Sequence, residues 1–351
     1  MITKRHLRAR LRATVPCRAV TLIELVTGVS ALILLTAVLA PALAEVGRRG
    51  KDAVCLQNLA RIAQASIVYA AQDPDGQAIP VHYTQFLVDK PYTTRVGLYT
   101  WGGKSGKGNE GGDTYWWGAK YNRGPATRPL NHILYGDVFP NYRGNPGNGR
   151  ANWNNDTKLD LGVYRCPADT GWTSGLHVSS WKNSGLTSFD HFGNSYAANV
   201  VWIGPGQLGN AYMDSNSPYL HRLADIVNPA ETVYYLEGCG QYTYMYAPQA
   251  SGCGVEDGVV DGWHGAAWMF NVAFVDGHAG TVRLKGTTSP DLVHYPQGSY
   301  TYWRCVTIRG PGWQRDTLPL PPTATTIYAP GRSSDSREDD STACPSFVEE
   351  F

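Results

Sequence analysis

The densest group of polar side chains that could take part in chemistry lies between residues 256 and 278. Its members are His264, His278, Glu256, Asp257, Asp261 and Asp276. Carboxylates in a Gly-rich loop suit calcium, whereas histidines do not, so Asp257, Asp261 and Asp276 are the candidate ligands for a cation. We favour the simpler interpretation, a hairpin turn held by Asp276 with His264 hydrogen-bonded to backbone. We therefore expect no cofactor or metal, with calcium as the alternative.

The sequence lacks three common motifs of enzyme active sites. Gly-x-Ser-x-Gly, His-Glu-x-x-His and a phosphate-binding loop are all missing from the sequence. A hydrolase needs a nucleophile, a base and an orienting group in one pocket, and no motif supplies them. We predict that the chain is not an enzyme.

Composition and net charge exclude further classes of function. The 351 residues include 30 Lys and Arg and 29 Asp and Glu, a formal net charge of +1, so we expect no nucleic-acid partner. Because 42% of the residues are hydrophobic and 11% aromatic, the chain has enough apolar surface to fold. The charge is unevenly distributed. Residues 1–19 hold six basic and no acidic residues, so residues 20–351 carry a formal net charge of −5.

An apolar segment follows this basic leader. Residues 20–44 read VTLIELVTGVSALILLTAVLAPALA, with Glu24 as the only charge. A helix of ~20 residues spans a bilayer, and basic residues before it keep the N-terminus cytoplasmic. A secretory signal peptide cleaved near Ala42 or Ala44 is the alternative. An acid within a membrane segment costs about 2.5–3.5 kcal/mol, so Glu24 indicates a functional residue rather than one merely tolerated at the interface.

Residues 19–25 resemble the class III signal of type IV prepilins. In that family a basic leader ends in Gly, or less often Ala, and an apolar residue, Thr, Leu, Ile and Glu follow. Here Ala19 and Val20 precede Thr21, and Glu24 occupies the acidic position. The resemblance implies that a prepilin peptidase cuts between Ala19 and Val20 and methylates the new terminus, while the apolar helix is kept.

The same resemblance implies an assembly role. In filaments of the family, the carboxylate equivalent to Glu24 pairs with the terminal amine of a neighbouring subunit. Pro41 lies where pilin helices often carry a kinking proline, and we favour a kink over a helix end. The implied function is a structural subunit of a pilus or a type II secretion-like pseudopilus. Its implied partners are the peptidase, copies of itself or other pilin-like subunits, and the assembly machinery. The implied location is a single pass through the inner membrane with a cytoplasmic N-terminus and a periplasmic head, or a surface filament.

The predicted helices precede the predicted strands along the chain, which is the order of an α+β fold. A helical pattern over residues 45–73 places Leu56, Leu59, Ala63, Ile67 and Ala70 on one face. Strand patterns cover residues 231–237, 271–275, 281–284 and 300–308. The prepilin resemblance implies a type IV pilin-like fold, in which a long N-terminal helix packs on an antiparallel β-sheet head with long loops. The predicted organisation is a leader at 1–19, a transmembrane and assembly helix at 20–44, its continuation at 45–73, a head at 74–332 and a flexible acidic tail at 333–351.

Four further motifs resemble those of prepilin-like proteins with a large, processing-associated C-terminal region. They are Cys55-Leu56-Gln57-Asn58-Leu59, Cys166-Pro167-Ala168-Asp169, Ser195-Tyr196-Ala197-Ala198-Asn199, and His264 followed by Asp276-Gly277-His278. Their order along the chain makes the group more specific than any one motif. The resemblance implies no biochemical activity, although some major pseudopilins hold calcium in a C-terminal loop.

The cysteine count predicts disulfides. Cys17 lies in the leader, and the other six give an even number in an exported domain. Six cysteines allow fifteen connectivities, among which Cys55 with Cys166, Cys239 with Cys253, and Cys305 with Cys344 are the candidate pairs. The alternative is that one or two pairs stay reduced. A zinc site is less favoured, because no Cys-x-x-Cys motif occurs.

Tryptophans suggest a second function. Trp101, Trp116, Trp117, Trp153, Trp172 and Trp181 lie in loop-like sequence. Exposed rings could stack on sugar faces, so the alternative is a membrane-anchored surface binding module, for carbohydrate or as an adhesin, that uses a pilin-like anchor. We favour the interpretation that these rings fill the core beneath long loops.

Overall fold

The fold is known from a computed structural model. It describes residues 21–80, 98–108, 124–139, 149–173, 179–199, 202–203, 214–215, 218–219, 221–241, 260–284, 295–297, 300–307, 309–310, 312–315 and 326–329. The predicted leader and tail, which includes Cys344, lie outside the described residues, as do Val20, Cys253, Asp257, Trp116 and Trp117. Of Cys305, the structure describes the backbone alone. The chain divides into two compact units, Met1–Arg49 and Gly50–Phe351.

A single long helix, α1, spans Leu22–Gln72 and continues through Pro41, so this proline does not end it. Among the described residues, α1 is the helix that is long and apolar enough to cross a membrane. Its start is a reciprocal cap. The Thr21 N–H and hydroxyl both donate to the Glu24 carboxylate at 2.9 Å, and the Glu24 N–H donates back to the Thr21 hydroxyl at 3.3 Å.

Within the second unit, the C-terminal part of α1 has one buried face. The buried side chains are those of Cys55, Asn58, Leu59, Ile62, Ala63, Ala65, Ser66 and Ala70. The predicted face is therefore correct at Leu59, Ala63 and Ala70, whereas Leu56 and Ile67 are only half-buried. The prediction used only apolar residues to locate the buried face. It therefore left out Asn58 and Ser66, which are polar yet buried, and placed the centre of the face incorrectly. The Ser66 hydroxyl, for example, hydrogen-bonds the Tyr235 hydroxyl at 2.6 Å.

Short helices and strands make up the rest of the described chain. The helices are α2 (Pro129–Tyr135), α3 (Gly149–Asp156), α4 (Ser179–Ser184), α5 (Ser188–His191) and α6 (Gly238–Gln241), with 3-10 turns at Pro125–Thr127, Gly162–Tyr164 and Leu223–Asp225. The strands are β1 (Tyr196–Ala198), β2 (Trp202–Ile203), β3 (Asp214–Ser215), β4 (Val233–Glu237), β5 (Met269–Phe274), β6 (Ala279–Arg283), β7 (Tyr295–Gln297), β8 (Tyr300–Thr307), β9 (Arg309–Gly310), β10 (Trp313–Gln314) and β11 (Thr326–Ala329). The fold is thus α+β, with a long N-terminal helix.

The central sheet has four antiparallel strands in the order β1-β4-β5-β6. Tyr196 of β1 pairs with Glu237 of β4, which places the last residue of the buried strand beside the Ser-Tyr motif. The predicted β5–β6 hairpin is confirmed, and its turn uses Gly277 at φ +96°, a conformation that favours glycine. Smaller sheets pair β2 with β3, β9 with β10, and β8 with both β7 and β11.

Tryptophan rings contribute to the core. Trp101 and Trp181 are fully buried, and Trp153 and Trp172 are half-buried. The indole N–H of Trp101 donates to the Leu98 carbonyl, and that of Trp181 donates to the Leu186 carbonyl. The interpretation that these rings fill the core is confirmed for Trp101 and Trp181.

Candidate functional site

Of the polar residues predicted to cluster between 256 and 278, the structure describes Asp261, His264, Asp276 and His278, and His264 has other partners than the Asp276–His278 pair. Asp276 stays at the turn, where its Oδ1 accepts from the His278 N–H at 3.1 Å and lies 2.6 Å from His278 Nδ1. This confirms that Asp276 holds the hairpin turn. Neither Asp261 nor Asp276 belongs to a group of three or more metal-ligating side chains within the described part of the chain.

His264 lies elsewhere, and the prediction that it bonds to backbone missed its partners. Its Nε2 is 2.8 Å from Glu237 Oε1 and 3.6 Å from Cys166 Sγ. A tight turn precedes β5, in which the Gly265 N–H donates to the Gly262 carbonyl at 3.1 Å. A Cβ at Gly262 would collide with the Met269 carbonyl, so this close approach requires glycine.

Four side chains converge at the end of β4. The ligand atoms of Cys55, Cys166, Glu237 and His264 all lie within 4.8 Å of one another, and all four residues are buried. Each comes from a different element: α1, the loop after the 3-10 turn Gly162–Tyr164, the last residue of β4, and the loop before β5. We call these four residues the Cys-Cys-Glu-His cluster. Three of its members are the first residues of the Cys-x-x-Asn-Leu, Cys-Pro-x-Asp and His-to-Asp-Gly-His motifs.

The disulfide predicted between Cys55 and Cys166 is not formed in the structure. Both are free thiols, as is Cys239, for which pairing with Cys253 was predicted. Cys55 and Cys166 do lie together, but their sulfur atoms contact the Glu237 carboxylate, with Cys55 Sγ 3.3 Å and Cys166 Sγ 4.0 Å from Oε1. The two cysteines therefore share a polar cluster instead of a covalent bond.

A surrounding layer of polar groups holds the cluster in place. Asp52 Oδ1 lies 3.4 Å from His264 Nδ1 and accepts a 2.6 Å hydrogen bond from the Asn271 side chain. The Asn271 N–H donates to Glu237 Oε2 at 3.3 Å. On the other side, the Tyr196 hydroxyl lies 3.5 Å from Cys55 Sγ. The orientation of the imidazole, the carboxylate and one thiol is thus supported by separate partners.

Burial and neighbouring charge shift the acidity of these groups. Burial lowers the pKa of His264, but hydrogen bonds with Cys55 and Glu237 and the Glu237 charge outweigh it and raise that pKa to about 10. Burial also raises the pKa of the Cys55 thiol well above its usual value, and that of Cys166 more moderately. These shifts favour the protonated forms of both thiols and of the His264 imidazole.

The remaining motif residues brace the core. Asn58 donates to the Gly162 and Arg165 carbonyls, and Asn199 donates to the Val233 and Arg315 carbonyls. Asp169 accepts from the N–H groups of Gly171, Ser188 and Phe189 at 2.9 Å each and from the Ser195 hydroxyl at 2.7 Å. The polar residues of the motifs thus connect loops that are far apart in sequence.

Replacing Asp169 with alanine is expected to lower the free energy of unfolding of the head by about 3 kcal/mol, because buried donors lose their acceptor. Asp169→Asn keeps one acceptor oxygen and should lose less. The exposed Asp225→Ala is the control, for which we expect a change within about 0.5 kcal/mol. Chemical denaturation measures all three, and an Asp169→Ala midpoint equal to that of the control would contradict this bracing role.

Sequence reasoning missed two residues of the site, Glu237 and Asp52. The sequence signal for Glu237 is a carboxylate at the end of the apolar strand pattern ETVYYLE, whereas Asp52 has no distinguishing signal. A buried acid on a core strand requires a partner, and His264 is that partner here. Comparisons of the chain with protein-family models, curated proteins and solved structures find no match, so any functional assignment depends on the sequence and on this geometry.

Proposed function

We propose that the chain is a prepilin-like structural subunit that assembles through its N-terminal helix into a pilus or a type II secretion-like pseudopilus. The observation that carries the proposal is the first part of α1. From Leu22 to Val46 its large apolar side chains are exposed, and its only charge before Glu45 is that of Glu24. An exposed apolar surface of this length needs lipid or other apolar helices around it.

Processing would prepare this helix for assembly. Cleavage between Ala19 and Val20 by a prepilin peptidase creates a new amino terminus four residues before Glu24. That amine and the Glu24 carboxylate of a neighbouring subunit then neutralise each other inside a bundle of apolar helices. Pairing matters there, because either charge buried alone is costly. Pro41, which lies within α1, would allow the helix to bend as subunits pack.

The location and partners follow from this role. The basic leader favours a cytoplasmic N-terminus, so the unit that begins at Gly50 would lie in the periplasm or along a surface filament. The partners would be the prepilin peptidase, other copies of this chain or related subunits, and the assembly machinery. The alternative of an anchored carbohydrate-binding module or adhesin loses two of its six candidate rings, because Trp101 and Trp181 are buried and cannot stack on a ligand.

Immuno-electron microscopy of cells that express the chain with its assembly machinery tests this function. Antibodies against the head should label filaments at regular intervals along their length, and shearing should release the chain as a sedimentable polymer. Label confined to scattered points on the membrane, with no polymer released, would contradict assembly and favour the anchored binding module.

A further inference from the structure

We propose that the Cys-Cys-Glu-His cluster binds one zinc ion, with Cys55, Cys166, Glu237 and His264 as its four ligands. All four ligands lie in the unit Gly50–Phe351, whereas the assembly residues Val20 and Glu24 lie in the unit Met1–Arg49. The site differs from the calcium alternative considered for Asp257, Asp261 and Asp276. It can be tested whether or not the chain forms filaments.

The distances suit tetrahedral coordination. With Zn–S bonds of about 2.3 Å and Zn–N and Zn–O bonds of about 2.0 Å, the ligand atoms of a tetrahedral site lie about 3.3–3.8 Å apart. Here Cys55 Sγ is 3.3 Å from Glu237 Oε1, and Cys166 Sγ is 3.6 Å from His264 Nε2. Glu237 Oε1 is 4.0 Å from Cys166 Sγ and 2.8 Å from His264 Nε2. The two remaining pairs of ligand atoms lie within 4.8 Å, so shifts of up to about 1 Å would convert the cluster into a zinc site.

The ligand types select the metal. Two sulfurs and an imidazole nitrogen favour zinc over calcium or magnesium, which prefer oxygen. Four protein ligands complete a tetrahedral shell and leave no position for a substrate, which is the arrangement of a structural zinc site. The burial of all four residues agrees with a closed site.

The surrounding polar groups match the needs of such a site. In zinc sites, the ring nitrogen of histidine that does not bind metal usually donates to a carboxylate, and Asp52 Oδ1 lies 3.4 Å from His264 Nδ1. Cys166 Sγ receives the Ala168 N–H at 3.4 Å, and the Tyr196 hydroxyl faces Cys55 Sγ at 3.5 Å. Two thiolates and one carboxylate carry three negative charges, of which zinc neutralises two. The Ala168 N–H and the Tyr196 hydroxyl point at the sulfur atoms and would stabilise the remaining negative charge.

The ion would connect four elements of the second unit. The ligands at positions 55, 166, 237 and 264 lie on α1, a loop, β4 and a second loop, so one ion would close three long stretches of chain. Cross-links across long stretches restrict the unfolded state most strongly. Because free zinc binds only weakly to the separated ligands of an unfolded chain, its binding free energy would stabilise the fold.

Metal analysis of the full-length chain tests the proposal. The chain is purified from membranes in detergent without chelator, and zinc is measured by inductively coupled plasma mass spectrometry. We expect about one zinc per chain, and near-complete loss in Cys55→Ser and in His264→Ala. Cys239→Ser is the matched control, because Cys239 is equally buried and reduced but lies outside the cluster, so this variant should keep its zinc.

If a ligand variant fails to fold, two further measurements still test whether the cluster binds metal. Wild-type chain stripped of zinc and reloaded with Co²⁺ should show the visible absorption of a tetrahedral cobalt–thiolate centre. Asp52→Asn should retain that spectrum and weaken zinc affinity by about 10–100-fold. Three results would each overturn the proposal: wild-type chain without zinc or a cobalt spectrum, zinc content unchanged in Cys55→Ser, or a Cys55–Cys166 disulfide found by peptide mapping of blocked thiols.

Discussion

Leu59→Asp is expected to unfold the head at room temperature. Leu59 is 0% exposed on the buried face of α1, so the variant removes an apolar side chain and buries an unpaired carboxylate in its place. Loss of a buried leucine alone costs about 2–5 kcal/mol, and a buried charge without a partner adds several more. The free energy of unfolding of a typical protein is only about 5–15 kcal/mol, so a loss of this size is enough to unfold it. Circular dichroism melting of the fragment 45–351, which contains the whole second unit, measures the effect.

Val54→Asp is the matched control for this variant. It makes the same change from an apolar to an acidic side chain on the same helix, at a residue that is 45% exposed. We expect its melting transition to remain cooperative and to shift by only a few degrees. If the Leu59→Asp fragment melts as the wild type does, the buried face of α1 is placed incorrectly.

Glu24→Val is expected to abolish filament assembly while leaving cleavage and membrane insertion intact. In the proposed assembly, each buried terminal amine would lose its carboxylate partner, a penalty of about 3–5 kcal/mol per subunit contact. Polymer released by shearing, measured against the membrane-bound chain, reports the effect. Glu45→Val is the control, because Glu45 is a half-buried acid of the same helix that already pairs with Arg48 and Arg49 within its own chain.

The cap at the start of α1 offers a competing explanation for Glu24, and Glu24→Gln separates the two. Glutamine can reproduce the hydrogen bonds to Thr21, since a capping box accepts either residue, but it carries no charge. If charge pairing drives assembly, Glu24→Gln should assemble as poorly as Glu24→Val. Filaments of normal number and length from Glu24→Gln would show that the carboxylate acts only as a helix cap.

The elements that local patterns determine were predictable from the sequence. The helix that ends at Gln72, the strand that ends at Glu237 and the β5–β6 hairpin all follow periodicity or turn chemistry over a few residues. By contrast, apolar spacing on α1 could not indicate that Asn58 and Ser66 are buried, because their partners lie more than 100 residues away.

The Cys-Cys-Glu-His cluster shows the limit of sequence reasoning more clearly. The predicted pairing of Cys55 with Cys166 is correct in that the two residues lie close together. Their positions in the sequence could not distinguish a disulfide from two free thiols beside a carboxylate and an imidazole. The usual zinc pattern of closely spaced cysteines did not help, since the ligands come from four separate elements. Glu237 joins them only because the strand order places the end of β4 between α1 and the loop that carries His264.

The mass of the N-terminal peptide tests prepilin-type processing itself, because cleavage at Ala19–Val20 keeps the apolar helix whereas ordinary secretory cleavage removes it. The chain is extracted from membranes of cells that contain a prepilin peptidase and analysed by mass spectrometry. We expect a mature chain that begins at a methylated Val20 and retains the apolar helix. A chain that begins at Glu45 or nearby would contradict this expectation and indicate ordinary secretory cleavage.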